Sequence, residues 1–397
     1  MTTSTVAADL HDFSLVLGGP LFRVLRRTWL CGEGLELMRR RIVALCTLCW
    51  LPLLALTALE GNAWGEAAQM PFLLDAEVHV RFLVALPLLL FAELVVHRRL
   101  QPVVRQFLER RLIPGNALPE FDAALASATR LRNSVVAELT LFGIVYGIGV
   151  LVLWRQYMAL EGSSWYGVMA GGRLQPSLAG WWFGCVSLPL FQFLLLRWYF
   201  RLFVWARFLW QVSRIDLALV PTHPDQAAGL GFLALTSYAF TPVLLAQGAL
   251  LAGMMANRIF YVGAKLPDFK FDLAGLVAFM VVAVLGPLMV FAPRLERTKR
   301  TALREYGTLA LRYTREFDQK WLRGGADPAE PFLGSADIQS LADLGNSYES
   351  IKNLRFIPFP PRAVVHLAVV TAAPVLPLLL TMLSFEELLQ RLLNIVF

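Results

Sequence analysis

Apolar residues in this chain come in long unbroken runs, not in the narrow stripes of a water-soluble domain. Seven runs stand out, at 42–59, 82–96, 135–154, 178–200, 232–256, 273–292 and 363–383. A helix needs about 20 apolar residues to cross a hydrocarbon layer. In lipid, each backbone polar group must also find its partner inside the protein, which a helix achieves within one segment. The pattern predicts an all-α fold, a polytopic transmembrane bundle of about seven spans. The run at 82–96 is the shortest. Proline falls within several runs, at Pro52, Pro87, Pro189, Pro242, Pro287, Pro374 and Pro377. In a packed bundle these predict kinks that neighbouring helices stabilise.

Helical signals continue outside the runs. Residues 98–134 read as a hairpin with its turn at 113–119 (IPGNALP), its second arm running straight into the third span. The fourth span continues to Arg214, a length of about 55 Å at 1.5 Å per residue. Its Arg197, Arg201, Arg207 and Arg214 lie among Trp198, Tyr199, Trp205 and Trp210. That mixture suits a helix leaving through the headgroup zone. After Pro293 an apolar stripe runs through Leu295, Ala302, Tyr306, Leu309, Tyr313, Phe317 and Trp321, and Gly324 and Gly325 end it. A second helix, capped by Ser335, carries Ile338, Leu341, Leu344, Tyr348 and Ile351 on one face. The two are expected to pair antiparallel. Ser384 and Glu387 form a capping box for a C-terminal interfacial helix. The chain thus divides into an amphipathic N-terminal segment (1–41), a six-helix membrane region (42–292), a helical subdomain (293–362) and a seventh span with the terminal helix (363–397).

Composition strengthens the membrane reading. The chain of 397 residues is 57% hydrophobic and 16% charged, against about 25% charged in soluble domains. Charge then sets orientation. The N-terminus and the segments 97–134, 197–231 and 293–362 hold 29 Lys and Arg, and the opposite set holds 7. Omitting the long 293–362 segment leaves 17 against 7. Positive residues stay inside, so the expected N-terminus is cytoplasmic and the C-terminus periplasmic or extracellular. The net charge of +7 is then explained by loops facing anionic lipid, with no nucleic-acid partner. No cleaved signal peptide is expected, because the stretch 13–22 is short and holds Gly18, Gly19 and Pro20. Cys46 and Cys49 lie inside an apolar run with no His or further Cys pair beside them, which speaks against zinc or redox chemistry.

The candidate chemistry is a polar set that the topology places toward the cytoplasmic side: Glu93, Glu138, His223, Asp225 and His366. Arg197 and Arg201 are their candidate charge partners. Ionised groups in spans are costly and usually face the bundle interior in pairs. Three readings follow. The set is structural ion pairing, or a polar vestibule of a conduction or transport pathway, or an acid–base or metal site for a membrane-bound hydrolase or transferase. No H-E-x-x-H spacing supports a metal, and no cofactor fingerprint is present. A fourth option is a scaffold or sensor signalling through the 293–362 helices. The ligand, ion or small molecule, stays open. Gly143 with Gly147 and Gly180 with Gly184 form G-x-x-x-G pairs, and Gly248 heads a small-residue face. Such faces serve packing within a chain or self-association between chains.

In the segment 220–233 (VPTHPDQAAGLGFL), Pro221 and Pro224 stop the preceding helix and Asp225 suits a cap. Together with 337–347 (DIQSLADLGNS) and 374–389 (PVLPLLLTMLSFEELL), it gives the chain its resemblance to an uncharacterised family of bacterial polytopic inner-membrane proteins. That family reads AGGLGFL, and Ala228 here stands in place of a glycine. The resemblance covers roughly the second half. It implies a bacterial inner-membrane protein and assigns no catalytic residue.

Overall fold

A computed structural model describes residues 14–20, 37–64, 70–153, 164–170, 173–327, 330–332 and 334–382. Most of the amphipathic N-terminal segment and the terminal helix expected at 384–397 lie outside the described residues. The helices are α1 (Met38–Leu59), α2 (Ala76–Glu109), α3 (Leu118–Arg132), α4 (Val135–Ile144, widened into π turns over Val145–Leu153), α5 (Leu178–Arg214), α6 (Thr241–Val262), α7 (Leu266–Leu322), α8 (Ala336–Lys352) and α9 (Pro361–Met382). Two short strands, β1 (Gly167–Ala170) and β2 (Arg173–Pro176), form an antiparallel hairpin before α5.

The chain is an integral membrane protein with an all-α bundle. Among the described residues, six helices (α1, α2, α5, α6, α7 and α9) are long and apolar enough to cross a membrane. The bent pair Gly115–Arg132 and Val135–Gly149 makes a seventh crossing when counted as one span. Here the structure corrects the expected straight run from the hairpin into span three. The pair bends by 44°, because Ser134 takes an extended conformation and its Oγ accepts the Ala137 N–H at 3.2 Å, starting a new helix. Large apolar side chains such as Val136, Phe271 and Val282 point outward, as a lipid-facing surface requires.

Several prolines mark changes of helical pitch. Pro87 follows the π turn Val80–Ala85, and Pro189 follows Phe183–Ser187. Pro287 lies in the 3₁₀ stretch Gly286–Phe291, and Pro374 and Pro377 lie in Ala373–Met382. A proline has no N–H to donate and crowds the carbonyl four residues back. The neighbouring turns open to π or tighten to 3₁₀ geometry, and the helix goes on.

Glycine permits two close approaches. A Cβ on Gly248 would sit 2.0 Å from Thr371 O, where α6 crosses α9. A Cβ on Gly180 would sit 2.0 Å from Tyr166 O, where α5 meets the hairpin. Gly143 and Gly147 differ, since among the described residues nothing lies within 4 Å of a Cβ built on either.

The helices α2, α5 and α7 have 34, 37 and 57 residues. Even 34 residues span about 50 Å, well beyond the ~30 Å hydrocarbon layer. The overhanging ends gather at one pole. There Phe107 packs among Phe121, Phe232 and Phe291. Around that aromatic node, basic side chains tie chain segments together through backbone carbonyls. Arg294 donates to Ser213 O at 2.6 Å and Arg214 O at 2.9 Å, joining α7 to the C-terminus of α5. Lys299 donates to Leu354 O at 2.8 Å. Beyond it, the second half of α7 pairs with α8. Ser335 caps α8, its Oγ accepting the Asp337 N–H.

Candidate functional site: a buried charge network

The site is built from α1, α2, α4, α5 and the stretch 14–20. Glu93 lies on the inner face of α2 and is 2% exposed. Three arginines converge on it. Arg41, 1% exposed, bonds Glu93 Oε2 from the first turn of α1. Arg201 of α5 donates to Oε1 at 2.8 Å, and Arg197, one turn earlier, lies 3.6 Å from the same oxygen. Arg197 also reaches Glu138 Oε1 of α4 at 3.5 Å. The spacing of 197 and 201 puts both guanidiniums on one helix face. Arg201 further stacks over Trp198 at 4.6 Å. All five charged residues are buried.

Such a network is costly to bury and is retained only when well paired. Among the described residues, three guanidiniums meet two carboxylates. Backbone oxygens supply further acceptors. Arg197 Nη2 donates to Gly18 O at 3.2 Å, and Arg132 Nη1 donates to Ser14 O. His97 Nδ1 lies 2.9 Å from Ser14 Oγ.

The other candidate residues form two further sites. His223 and Asp225 face each other, Nδ1 to Oδ1 at 3.0 Å, in the loop between α5 and α6. Asp225 accepts backbone N–H groups from Ala227 at 2.9 Å, Gly229 at 3.1 Å and Gly231 at 2.8 Å. Burial alone would raise its carboxyl pKa. The three N–H donors and the neighbouring His223 outweigh this and hold it below the usual carboxylate range. Arg355 donates to Asp225 O at 2.7 Å, and Arg110 donates to Gly229 O at 3.3 Å. Asp225 therefore organises a loop that is tied to Arg110 at the end of α2 and to Arg355 in the segment before α9. His366 lies elsewhere, with Nε2 3.3 Å from Thr241 Oγ1 and its ring 4.5 Å from that of Tyr238.

The sequence allowed one joint acid–base or metal site for the five polar residues. The structure joins Glu93 with Glu138 through Arg197, and gives His223 with Asp225 and His366 separate surroundings. Among the described residues, no group of three or more His, Cys, Asp and Glu side chains is placed to hold a metal ion.

Sequence reasoning missed three buried polar features. Arg41 closes the run Arg39–Arg40–Arg41 and reads as loop charge. Only the helix phase shows that the third arginine turns inward while Arg39 and Arg40 stay exposed. The stretch 14–20 gave one signal, the Gly18–Gly19–Pro20 sequence. The third is Asp75, 3% exposed, which accepts from Trp165 Nε1 at 2.9 Å and Asn257 Nδ2 at 2.8 Å. It lies 18 residues from Glu93 in sequence, about 27 Å along a helix. The bundle thus holds polar clusters at two levels along α2. No family model, curated protein or solved structure matches the chain.

Proposed function

We propose that this protein is a transport-related, channel-like component of a bacterial inner membrane, with the Arg41–Glu93–Arg197–Arg201–Glu138 network as the polar constriction of its pathway. One observation carries the reading: five ionisable side chains are buried together on spanning helices. A purely structural bundle gains more from apolar packing at such positions. Ionisable groups inside a membrane characteristically mark ion and substrate paths. In this reading the N-terminus and the pole holding the network face the cytoplasm, in keeping with the 29 to 7 distribution of basic residues. The resemblance in segments 220–233, 337–347 and 374–389 agrees with a bacterial membrane setting.

The test is flux across proteoliposomes holding the purified chain, followed with ion-sensitive dyes. Glu138→Leu is expected to lower flux at least tenfold per folded molecule. Glu120→Leu, at an exposed position on α3, is expected to stay within twofold. Equal behaviour of the two variants, or flux no greater than in empty liposomes, rules the reading out.

A second reading has its own observation. Helix α7 runs unbroken from a membrane span into the pair with α8, over 57 residues. A continuous rod of this kind suits a sensor that passes motion from the bundle to the exposed helical pair. Wild-type flux after the α7–α8 pair is disrupted, together with loss of a downstream response, would favour it.

A further inference from the structure

Past Arg294, which ties α7 to the C-terminus of α5, α7 runs on as a rod paired with α8. Three contacts set the register of the pair. Lys299 Nζ donates to Leu354 O at 2.8 Å, a Cβ on Gly307 would lie 3.7 Å from Tyr348, and Tyr313 OH donates to Asp337 O at 3.2 Å. Each helix leaves its other face open. On α7 that face carries Arg300, Arg304, Leu311 and Arg315, about half a turn from Lys299, Ala302 and Tyr313. On α8 it carries Gln339, Ala342, Glu349 and Asn353, about half a turn from Tyr348 and Ile351. Among the described residues, all eight are exposed.

The two faces match level by level. The antiparallel register puts Arg300 level with Asn353, Arg304 with Glu349, Leu311 with Ala342, and Arg315 with Gln339. Each arginine thus stands level with a side-chain oxygen that can accept from it. Leu311, 53% exposed, stands level with a small apolar residue. Arg304 and Arg315 make no ion pair among the described residues, whereas Arg300 holds Glu296 and Arg312 holds Glu316. Over Ala292–Phe317, α7 has seven Lys and Arg against three Glu. Helix α8 has three Asp and Glu against one Lys, at its last residue. The two faces lie on opposite sides of the pair, so one chain cannot bring them together. A second copy can. Spanning helices hold neighbouring copies at one height and in one orientation. Rotation about the membrane normal then sets the α7 face of one copy against the α8 face of the next with no vertical shift.

We propose that the α7–α8 pair is a head-to-tail self-association surface, on which the Arg304 face of one copy seats against the Glu349 face of the next. Such a contact is heterologous, and it closes into a ring or continues as a row. Confinement to one plane raises the effective concentration of the copies, so a modest contact suffices. The surface is independent of the transport reading and holds whether or not the chain carries flux.

The experiment uses the full chain in proteoliposomes, with Leu311→Cys and Ala342→Cys introduced together and a short bismaleimide added. A ladder of covalent dimers, trimers and larger species is expected, because every copy has both faces. Either single variant alone is expected to give no more product than the native cysteines do. A mixture of the two single variants is expected to stop at the dimer. Adding Glu349→Arg to the double variant sets like charges opposite each other, and the ladder is expected to fall at least tenfold. Adding Arg304→Glu as well is expected to restore it to within twofold, which a misfolded chain would not do. Monomer alone, as when another segment of the chain covers the α7 face, overturns the proposal. So does a dimer from Leu311→Cys by itself, a ladder indifferent to Glu349→Arg, or a charge swap that restores nothing.

Discussion

At the residue scale, Glu93 is the keystone of the network, because three guanidiniums converge on its carboxylate. Glu93→Gln keeps the shape and removes the charge, leaving the arginines short of a counter-ion. Breaking a buried pair costs about 3–5 kcal/mol, and thermal unfolding in detergent is expected to register a loss of that size. Glu316→Gln, which breaks an exposed pair with Arg312 on α7, is expected to cost at most about 1 kcal/mol. Asp225 makes a pH prediction. Its folded pKa lies below the ordinary 3.8. A depressed carboxylate contributes stability that is fully present above the unfolded value and is lost as pH falls through the folded one. Exchange at the Ala227, Gly229 and Gly231 amides is therefore expected to stay protected from neutral pH to about 5, and to lose protection only below about 4. Loss of protection already between pH 7 and 6 would overturn this account. In the same loop, Gly229 has φ +95 and a Cβ there would lie 3.2 Å from Leu112, so Gly229→Ala is expected to destabilise the protein. Ala228 also adopts a left-handed conformation, φ 53. Glycine there relieves about 1–2 kcal/mol of strain, but it loses a buried methyl and gains unfolded-state freedom of similar total size. The net effect of Ala228→Gly on stability is expected to be near zero.

At the element scale, span positions were legible because a long apolar run has only one use in a protein this poor in charge. Pairings across helices were legible only as types. Glu93, Arg197 and Arg201 stood out as ionisable groups in or beside spans. That they meet depends on the rotation of α2 against α5, which no local pattern encodes. Arg41 shows the same limit: in an Arg-Arg-Arg run, only packing distinguishes the buried member. The bend at Ser134 was hidden because the apolar content of 135–154 outweighs one capping residue in any hydropathy argument. The G-x-x-x-G motifs illustrate why spacing alone does not assign a partner. Gly248 meets backbone at 2.0 Å, whereas Gly143 meets nothing within 4 Å among the described residues. Gly248→Ala is expected to force α6 away from α9 and cost at least the roughly 1–3 kcal/mol of an overpacked core. Gly143→Ala is expected to change monomer stability by under about 0.5 kcal/mol. A shift in sedimentation on Gly143→Leu, with unfolding temperature preserved, would show that this open face serves association between copies.

At the scale of the whole molecule, the arginine excess has two roles that coincide in space. In the proposed orientation it supplies the charge bias, and it also joins the pole where the long helices overhang. Arg110, Arg294, Lys299 and Arg355 all donate to backbone carbonyls there. Two of the carbonyls accepting from Arg294 belong to Ser213 and Arg214, at the C-terminus of α5, where a cation also opposes the helix dipole. The chain traverses the bundle in alternation. Arg41 near the start of α1 meets Glu93, and Glu60 just beyond its end accepts from Leu178 N at the start of α5. Near the far end of α6, Asn257 meets Asp75. With α3 and α4 counted as one crossing, seven passes separate residue 37 from residue 382. Reporters fused to the two ends are therefore expected to sit in opposite compartments, with the N-terminal one in the cytoplasm. Moving the balance tests the cause. Replacing Arg294, Lys299 and Arg355 with glutamine is expected to lower unfolding temperature while leaving the reporters where they are, because the remaining basic residues still outnumber those on the other side. If orientation changed and stability did not, the basic layer would be a topological signal only, and the carbonyl contacts would carry no weight in folding.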